Sequence, residues 1–223
     1  MEAPNDVKDR LRASYNAMSS QYNTWTERHH YLRRKYLNEL VAHCPELVSD
    51  SDGEKHEVLE LGCGSGDPFL STLLSQAPTV HAHANDLSDV QLDLARKNLA
   101  AYEGRATFYP GDMMKLEFAP ESLTSVIALY SIIHLQQEEQ KEIFRRIGNW
   151  LAPGGVFLST FDRNKESGII MDKWLDDKGW MFWSGLGKDE TVAALQASGL
   201  NVEKAALEGD EEEKFLWVIA KKV

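Results

Sequence analysis

Three glycines, Gly62, Gly64 and Gly66, alternate directly behind the apolar residues Val58, Leu59 and Leu61, with Glu60 set among them. Glycines after a buried strand strip Cβ atoms from the turn, so its backbone can lie flat against a ligand. A carboxylate at the edge of such a turn can meet a ligand's ammonium or its hydroxyls. About 20 residues further on, Asp86 closes a second apolar segment, placed to accept hydrogen bonds from two ribose hydroxyls. Asp112 sits in Gly111-Asp112-Met113, and His134 ends the run Leu129-Tyr130-Ser131-Ile132-Ile133-His134. An imidazole near neutral pKa can take a proton from a hydroxyl, amine or thiol. The combination reads as a nucleoside-cofactor site with a candidate base beside it.

The spacing of the glycines separates two kinds of cofactor. A dinucleotide turn wants G-x-G-x-x-G, but the sixth position is Asp67 counted from Gly62 and Phe69 counted from Gly64. The pyrophosphate pattern fails in both registers. The E-x-G-x-G-x-G form present here resembles motif I of the class I S-adenosylmethionine (SAM) dependent methyltransferases. Four further stretches resemble the same family: A-N-D-L-S-D-V-Q-L-D-L-A-R after the second strand, G-D-M after the third, Y-S-x-x-H after the fourth, and L-x-P-G-G before the fifth. Tyr15 to Tyr22 is similar to the Y-D-x-x-A-x-x-Y stretch that lies over the cofactor in small-molecule members, here of a type 11/25-like kind. Gly179 to Ser184 looks like the M-x-W-S stretch of related proteins. The D/N-P-P-Y/F tetrad of nucleic-acid methyltransferases is missing, as is the aspartate of metal-dependent catechol-type enzymes.

The resemblance implies a Rossmann-like α/β three-layer sandwich. Its seven-stranded sheet is mostly parallel, its last strand, Phe215 to Lys221, antiparallel, and a helical lid precedes it. It implies a metal-independent transfer of the SAM methyl group to an O, N or S nucleophile of a small molecule, releasing S-adenosylhomocysteine. By position, Tyr22, Glu60, Gly62, Cys63, Gly64, Asp86, Leu87, Asp112, Met113 and Leu129 hold the cofactor. Tyr130, His134 and Trp183 face the acceptor, and His134 and Tyr15 are the catalytic candidates. Each tyrosine could equally pack a helix, and His134 could be held by backbone at a helix start. A non-catalytic SAM-binding subunit and an NAD-dependent oxidoreductase are the rival functions.

The elements that must position these groups follow from periodicity. Val7, Leu11, Tyr15 and Met18 mark a short leading helix, and Leu32 to Cys44 a second one from about Glu27, ended by Pro45. Ser49 to Lys55 links into the sheet, so residues 1–50 are a lid and 51–223 the cofactor-binding part of one structural domain. Helices follow from Pro68 to Gln76, from the Ser88 cap through Leu92, Ala95 and Leu99, from Glu138 to Trp150, and from Asp189 to Ser198. Strands fall at Val80–Asn85, Ala106–Tyr109, Ser125–Tyr130, Val156–Phe161 and Leu200–Leu207. Between Asp162 and Lys188, Trp174, Trp180, Met181, Phe182 and Trp183 are too dense for a solvated loop and should wall a substrate mouth or pack a core.

Composition narrows the class. At 223 residues the chain suits one domain, and the formal charge of −11 disfavours a nucleic-acid partner. Arg28, Arg33, Arg34 and Lys35 form a basic run, read as a solvated helix face, and the acidic Glu208 to Glu213 as a solvated hairpin turn. No apolar run approaches the roughly 18 residues of a membrane span. Two cysteines and a polar N-terminus lead to the expectation of a cytoplasmic protein, monomeric or homodimeric, without a membrane partner. His81-Ala82-His83 has spacing that suits a metal, but no third ligand is evident nearby in the sequence. The pair reads as solvated or core-edge histidines, and no metal is expected.

Overall fold

A computed structural model describes residues 3–49, 53–210 and 213–223. Strands β1 (His56–Leu61), β2 (Val80–Asp86), β3 (Ala106–Pro110), β4 (Leu123–Ala128) and β5 (Leu151–Asp162) come first, followed by β6 (Lys165–Asp172), β7 (Trp180–Leu186), β8 (Leu200–Gly209) and β9 (Lys214–Lys222). Seven of them form one sheet in the order β3-β2-β1-β4-β5-β9-β8. β9 is antiparallel to both neighbours and the other ladders are parallel. This is the expected Rossmann-like sheet. Strand β1 is covered on both faces: Val58 packs on one side and Leu59 on the other, both fully buried.

The helices are α1 (Val7–Thr26), α2 (His30–His43), α3 (Phe69–Gln76), α4 (Asp89–Asn98), α5 (Gln137–Trp150) and α6 (Lys188–Ala197). α2, α3 and α4 cover one sheet face through Tyr36, Leu40, Leu73, Leu92 and Ala95; α5 and α6 cover the other through Ile143, Phe144, Ile147 and Leu195. No helix bridges β3 to β4, where a single 3-10 turn, Met113–Lys115, replaces it. The far end of the sheet is therefore open on the α5 side, and every residue of β3 retains some exposure.

Three expectations need correction. The leading helix is not short: α1 continues through the polar segment to Thr26, with non-helical backbone at Met18, so Tyr15, Tyr22 and Trp25 all stand on one helix. α2 starts at His30, after a 3-10 turn over Glu27–His29. The aromatic segment after β5 is a hairpin, β6 paired antiparallel with β7 as a second sheet. Alternation was invisible there because β7 is buried on both sides. Trp180, Met181 and Phe182 join Val7, Leu11 and Met18 of α1 in a separate apolar cluster over the carboxyl ends of the main strands.

The charged runs are not simply solvated either. Arg28 donates to Glu213 at 3.2 Å, Lys35 to Glu208 at 2.5 Å, and Arg33 is only 8% exposed. The basic run and the described part of the acidic turn pair with each other. The boundary drawn at residues 50 and 51 lies outside the described residues, as do Glu211 and Glu212.

Candidate active site

The glycine turn lies where the strand order reverses, between β1 and β4, the usual place for a ligand in an open α/β sheet. Gly62 has φ +71°, and a Cβ there would come within 2.4 Å of the Ser131 Cβ, so the position excludes any side chain. Ser131 in turn donates to the Leu61 carbonyl at 2.6 Å, clamping the ends of β1 and β4. Gly66 is tight against Leu99 and Ala95 of α4, which sets the helix close behind the turn.

Backbone hydrogen bonds hold the three loop motifs in register. Asp86 accepts from Gly64 N and Ser88 N, both at 2.8 Å. Asn85 donates to the carbonyls of Tyr109 and Gly111 at 2.9 and 3.0 Å and receives Cys63 N on its own carbonyl at 2.8 Å. The glycine turn, Asp86 and the G-D-M turn are thus held as one assembly. Asp112 caps its turn through Met114 N at 2.9 Å and holds Lys8 of α1 at 2.8 Å, and Lys8 also reaches Glu139. Ser88 donates to Asn16 and Gln91 donates to Asn23, so α1 is fastened along α4 as a lid.

Three adjoining cavities result. The first, about 80 Å³, is bounded by Gly62, Gly64, Asp86, Leu87, Asp112 and Met113 under α1. The second, about 210 Å³, is polar and contains Glu60, Cys63, Arg33 and His30. The third, about 220 Å³, is aromatic, with Trp25, Trp174, Trp183 and Phe215 in its wall. Tyr22 borders all three, Leu129 the first two, and Tyr15, Tyr130 and His134 the first and third. Every residue expected at the site lines one of these cavities.

Electrostatics distinguish the cavities. Glu60 is 4% exposed with Oε2 unpartnered, and burial pushes its carboxyl up to about 8 although Arg33 pulls the other way. Burial raises Asp86 to about 6 against the opposing backbone bonds. His134 is pushed down to about 4 by burial. Its Nδ1 lies 2.8 Å from the Phe182 carbonyl, which only accepts, so Nδ1 carries the proton and Nε2 accepts from the Tyr15 hydroxyl at 2.8 Å. Tyr130 follows β4 with φ +59°, its amide donating to Thr160 Oγ1 at 2.6 Å and its ring stacked on His29. Strained backbone of this kind concentrates at functional sites.

Sequence reasoning missed Arg33 and Trp25 as site residues, while Trp174 lies in the aromatic segment expected to wall a substrate mouth or pack a core. Arg33 was hidden in a basic run, and the tryptophans reach the cavity only because α1 and the β6–β7 hairpin close over it, Trp25 and Trp174 meeting edge to face at 5.2 Å.

Residues 58–155 match the family described as "Methyltransferase domain". This stretch, a little under half of the chain, is similar to the class I SAM-dependent methyltransferases. The chain is 28% identical to a malonyl-[acyl-carrier protein] O-methyltransferase of Halalkalibacterium halodurans over 133 residues, 59% of this chain and 48% of the relative. It is 31% identical to the methyltransferase GfsG of Streptomyces halstedii over 143 residues, 63% of this chain and 48% of that one. It thus spans about half the length of these curated relatives. Its fold matches that of 1,6-didemethyltoxoflavin-N1-methyltransferase from Burkholderia thailandensis, solved with 1,6-didemethyltoxoflavin and S-adenosylhomocysteine. The TM-score is 0.73 at 18% identity, covering 100% of this chain and 91% of the other.

Proposed function

We propose that this methyltransferase binds SAM along the first and second cavities and passes its methyl group to a small, largely apolar and planar acceptor in the third. One observation carries the reading: the three cavities meet at Tyr22, with Tyr15, Tyr130 and His134 along the boundary between the first and the third.

The residues fit the cofactor. A buried carboxylate with an unpartnered oxygen and a buried arginine in one polar cavity complement the ammonium and carboxylate of an α-amino acid, roles that fall to Glu60 and Arg33. Asp86, Asp112 and Met113 line the first cavity, where Asp86 would hold the ribose hydroxyls and Asp112 and Met113 the purine. When bound, the cofactor supplies an already activated methyl group on a sulfonium. The chain then aligns the acceptor and excludes water. Tyr15 and Tyr22 border the first cavity and would offer aromatic rings to the sulfonium. His134, neutral by virtue of its burial, receives the acceptor's proton through Tyr15: the phenol oxygen takes it while passing its own to Nε2.

The acceptor class is read from the wall of tryptophans, and no metal enters this transfer. The formal charge of −11 supports a small molecule over a nucleic acid. Among the described residues no helix is long and apolar enough to cross a membrane, and Cys44 and Cys63 are unpaired. We place the activity in the cytoplasm, in a monomer or homodimer, with α1 and α2 as lid.

Calorimetry with SAM, S-adenosylhomocysteine and NAD tests the cofactor, and transfer of label from methyl-labelled SAM to fractionated metabolites tests the reaction. Binding of NAD instead of SAM, or SAM binding with no labelled small molecule from any extract, would sink the respective half.

A further inference from the structure

Away from the cofactor cavities, β1 and β2 bring together Glu57, His81 and His83, each offering one ligand atom, with those atoms within 4.8 Å of one another. The third ligand that the His-x-His pair lacked in the sequence comes from the neighbouring strand. Parallel register sets Glu57 opposite His81, and His83, two residues on, projects from the same face. That face is accessible because no helix connects β3 to β4, so the cluster is half-buried under Phe118 rather than sealed by a helix.

The contacts are those of a metal site in its proton-filled form. His83 Nε2 lies 2.8 Å from Glu57 Oε2 and its Nδ1 3.0 Å from the Tyr109 hydroxyl. His81 Nε2 lies 2.8 Å from Thr107 Oγ1, leaving Nδ1 uncommitted, and the two imidazoles are 5.1 Å apart. Two imidazoles and one carboxylate are a zinc-type donor set, open at a fourth position for water, and too nitrogen-rich for calcium or magnesium. We propose that Glu57, His81 and His83 bind one divalent transition-metal ion of the zinc class, with Tyr109 and Thr107 orienting the two rings from the second layer.

Binding needs a tautomer exchange at His83 and no net loss of a proton there. The ion takes the place of the proton between Nε2 and Glu57, and that proton is carried on Nδ1, now donated to the Tyr109 oxygen. Glu57 and His81 stand near the amino ends of their strands, whereas Asp86 and the glycine turn are at the carboxyl ends, and none of the three ligands borders any of the three cavities. The ion therefore ties β1 to β2 on the uncovered sheet face and takes no part in methyl transfer.

The test is titration of untagged, chelator-stripped protein with zinc chloride by calorimetry, alongside its melting temperature and the visible spectrum of the cobalt(II) form. Expected are one ion per chain, a melting temperature raised by zinc, and a tetrahedral cobalt spectrum. His81→Asn and His83→Asn should each weaken zinc binding at least tenfold, and Tyr109→Phe about tenfold. SAM affinity should be unchanged in all three variants. Absence of saturable one-to-one zinc binding to the wild-type protein, an octahedral cobalt spectrum, or undiminished binding by the folded His81→Asn/His83→Asn double variant overturns the proposal. Should a variant fail to fold by circular dichroism, the wild-type stoichiometry and cobalt spectrum decide alone. These readouts do not depend on methyl transfer.

Discussion

The hydroxyl of Tyr15 donates to Nε2 of His134 across 2.8 Å, while Nδ1 of the same ring is tied to the Phe182 carbonyl on β7. α1, the segment after β4 and the β6–β7 hairpin thus converge on one half-buried imidazole. The pair stands on the boundary between the first and the third, aromatic, cavity. Tyr15→Phe and His134→Asn should each lower kcat by roughly 10²-fold or more, the range for a positioned acid–base group. The wild-type rate should be level at neutral pH and fall only as the medium approaches about 4, where His134 takes up a proton and can no longer accept. A pH–rate profile unaltered by His134→Asn would remove the proton-transfer role.

With Glu60 proposed to meet the ammonium of SAM, binding of SAM should depend on pH. The Glu60 carboxyl is held neutral up to about 8, and an ammonium placed against it favours the anion, so binding releases a proton. Affinity for SAM should rise with pH up to about 8 and level off above it. Calorimetry in buffers of different ionisation enthalpy measures the released proton, and Glu60→Gln should abolish both the release and the slope.

The same shift governs the stability of the ligand-free protein. The folded value, about 8, lies above the ordinary 4.5, so between these limits the folded chain holds a proton that the unfolded chain has lost. This group's contribution therefore declines as pH rises through that window and is constant above it. Denaturant titrations across pH should show a shallower decline in Glu60→Gln than in wild type.

Two glycine substitutions should separate sterics from backbone strain. Gly62→Ala meets Ser131 at 2.4 Å as well as a positive φ, whereas the nearest atom to a Cβ on Gly64 is 4.0 Å away. Gly64→Ala should cost about 1–2 kcal/mol from its left-handed backbone alone. Gly62→Ala should cost clearly more and abolish SAM binding, as urea unfolding and calorimetry can check.

Lys8 joins Asp112 to Glu139 and so fastens the start of α1 over the cofactor-side cavity. Lys8→Met should speed release of S-adenosylhomocysteine. Raising ionic strength should speed release in the wild type and have little effect in the variant, because the screened pairs are then already gone. Stopped-flow displacement reads both rates.

The strands and loops of the cofactor half were legible because their signals are local. Gly62, Gly64, Asp86 and the Gly111-Asp112-Met113 turn each carry a backbone or charge requirement within a few residues, and the apolar residues Val58, Leu59 and Leu61 of β1 and Val126 to Ala128 of β4 mark buried strands. The Ser88 cap needed only its own helix to be recognised. What depended on residues distant in the chain was decided by tertiary structure. Arg33 looked like one more solvated cation until α2 packed its side chain into the Glu60 cavity. β7 had no readable alternation because both of its faces are buried, which period-two reasoning cannot see. Glu57 and the His81–His83 pair are 24 residues or more apart, and only strand register makes them neighbours. Local backbone chemistry travels with the sequence, whereas the pairing of side chains across strands exists only once the sheet has formed.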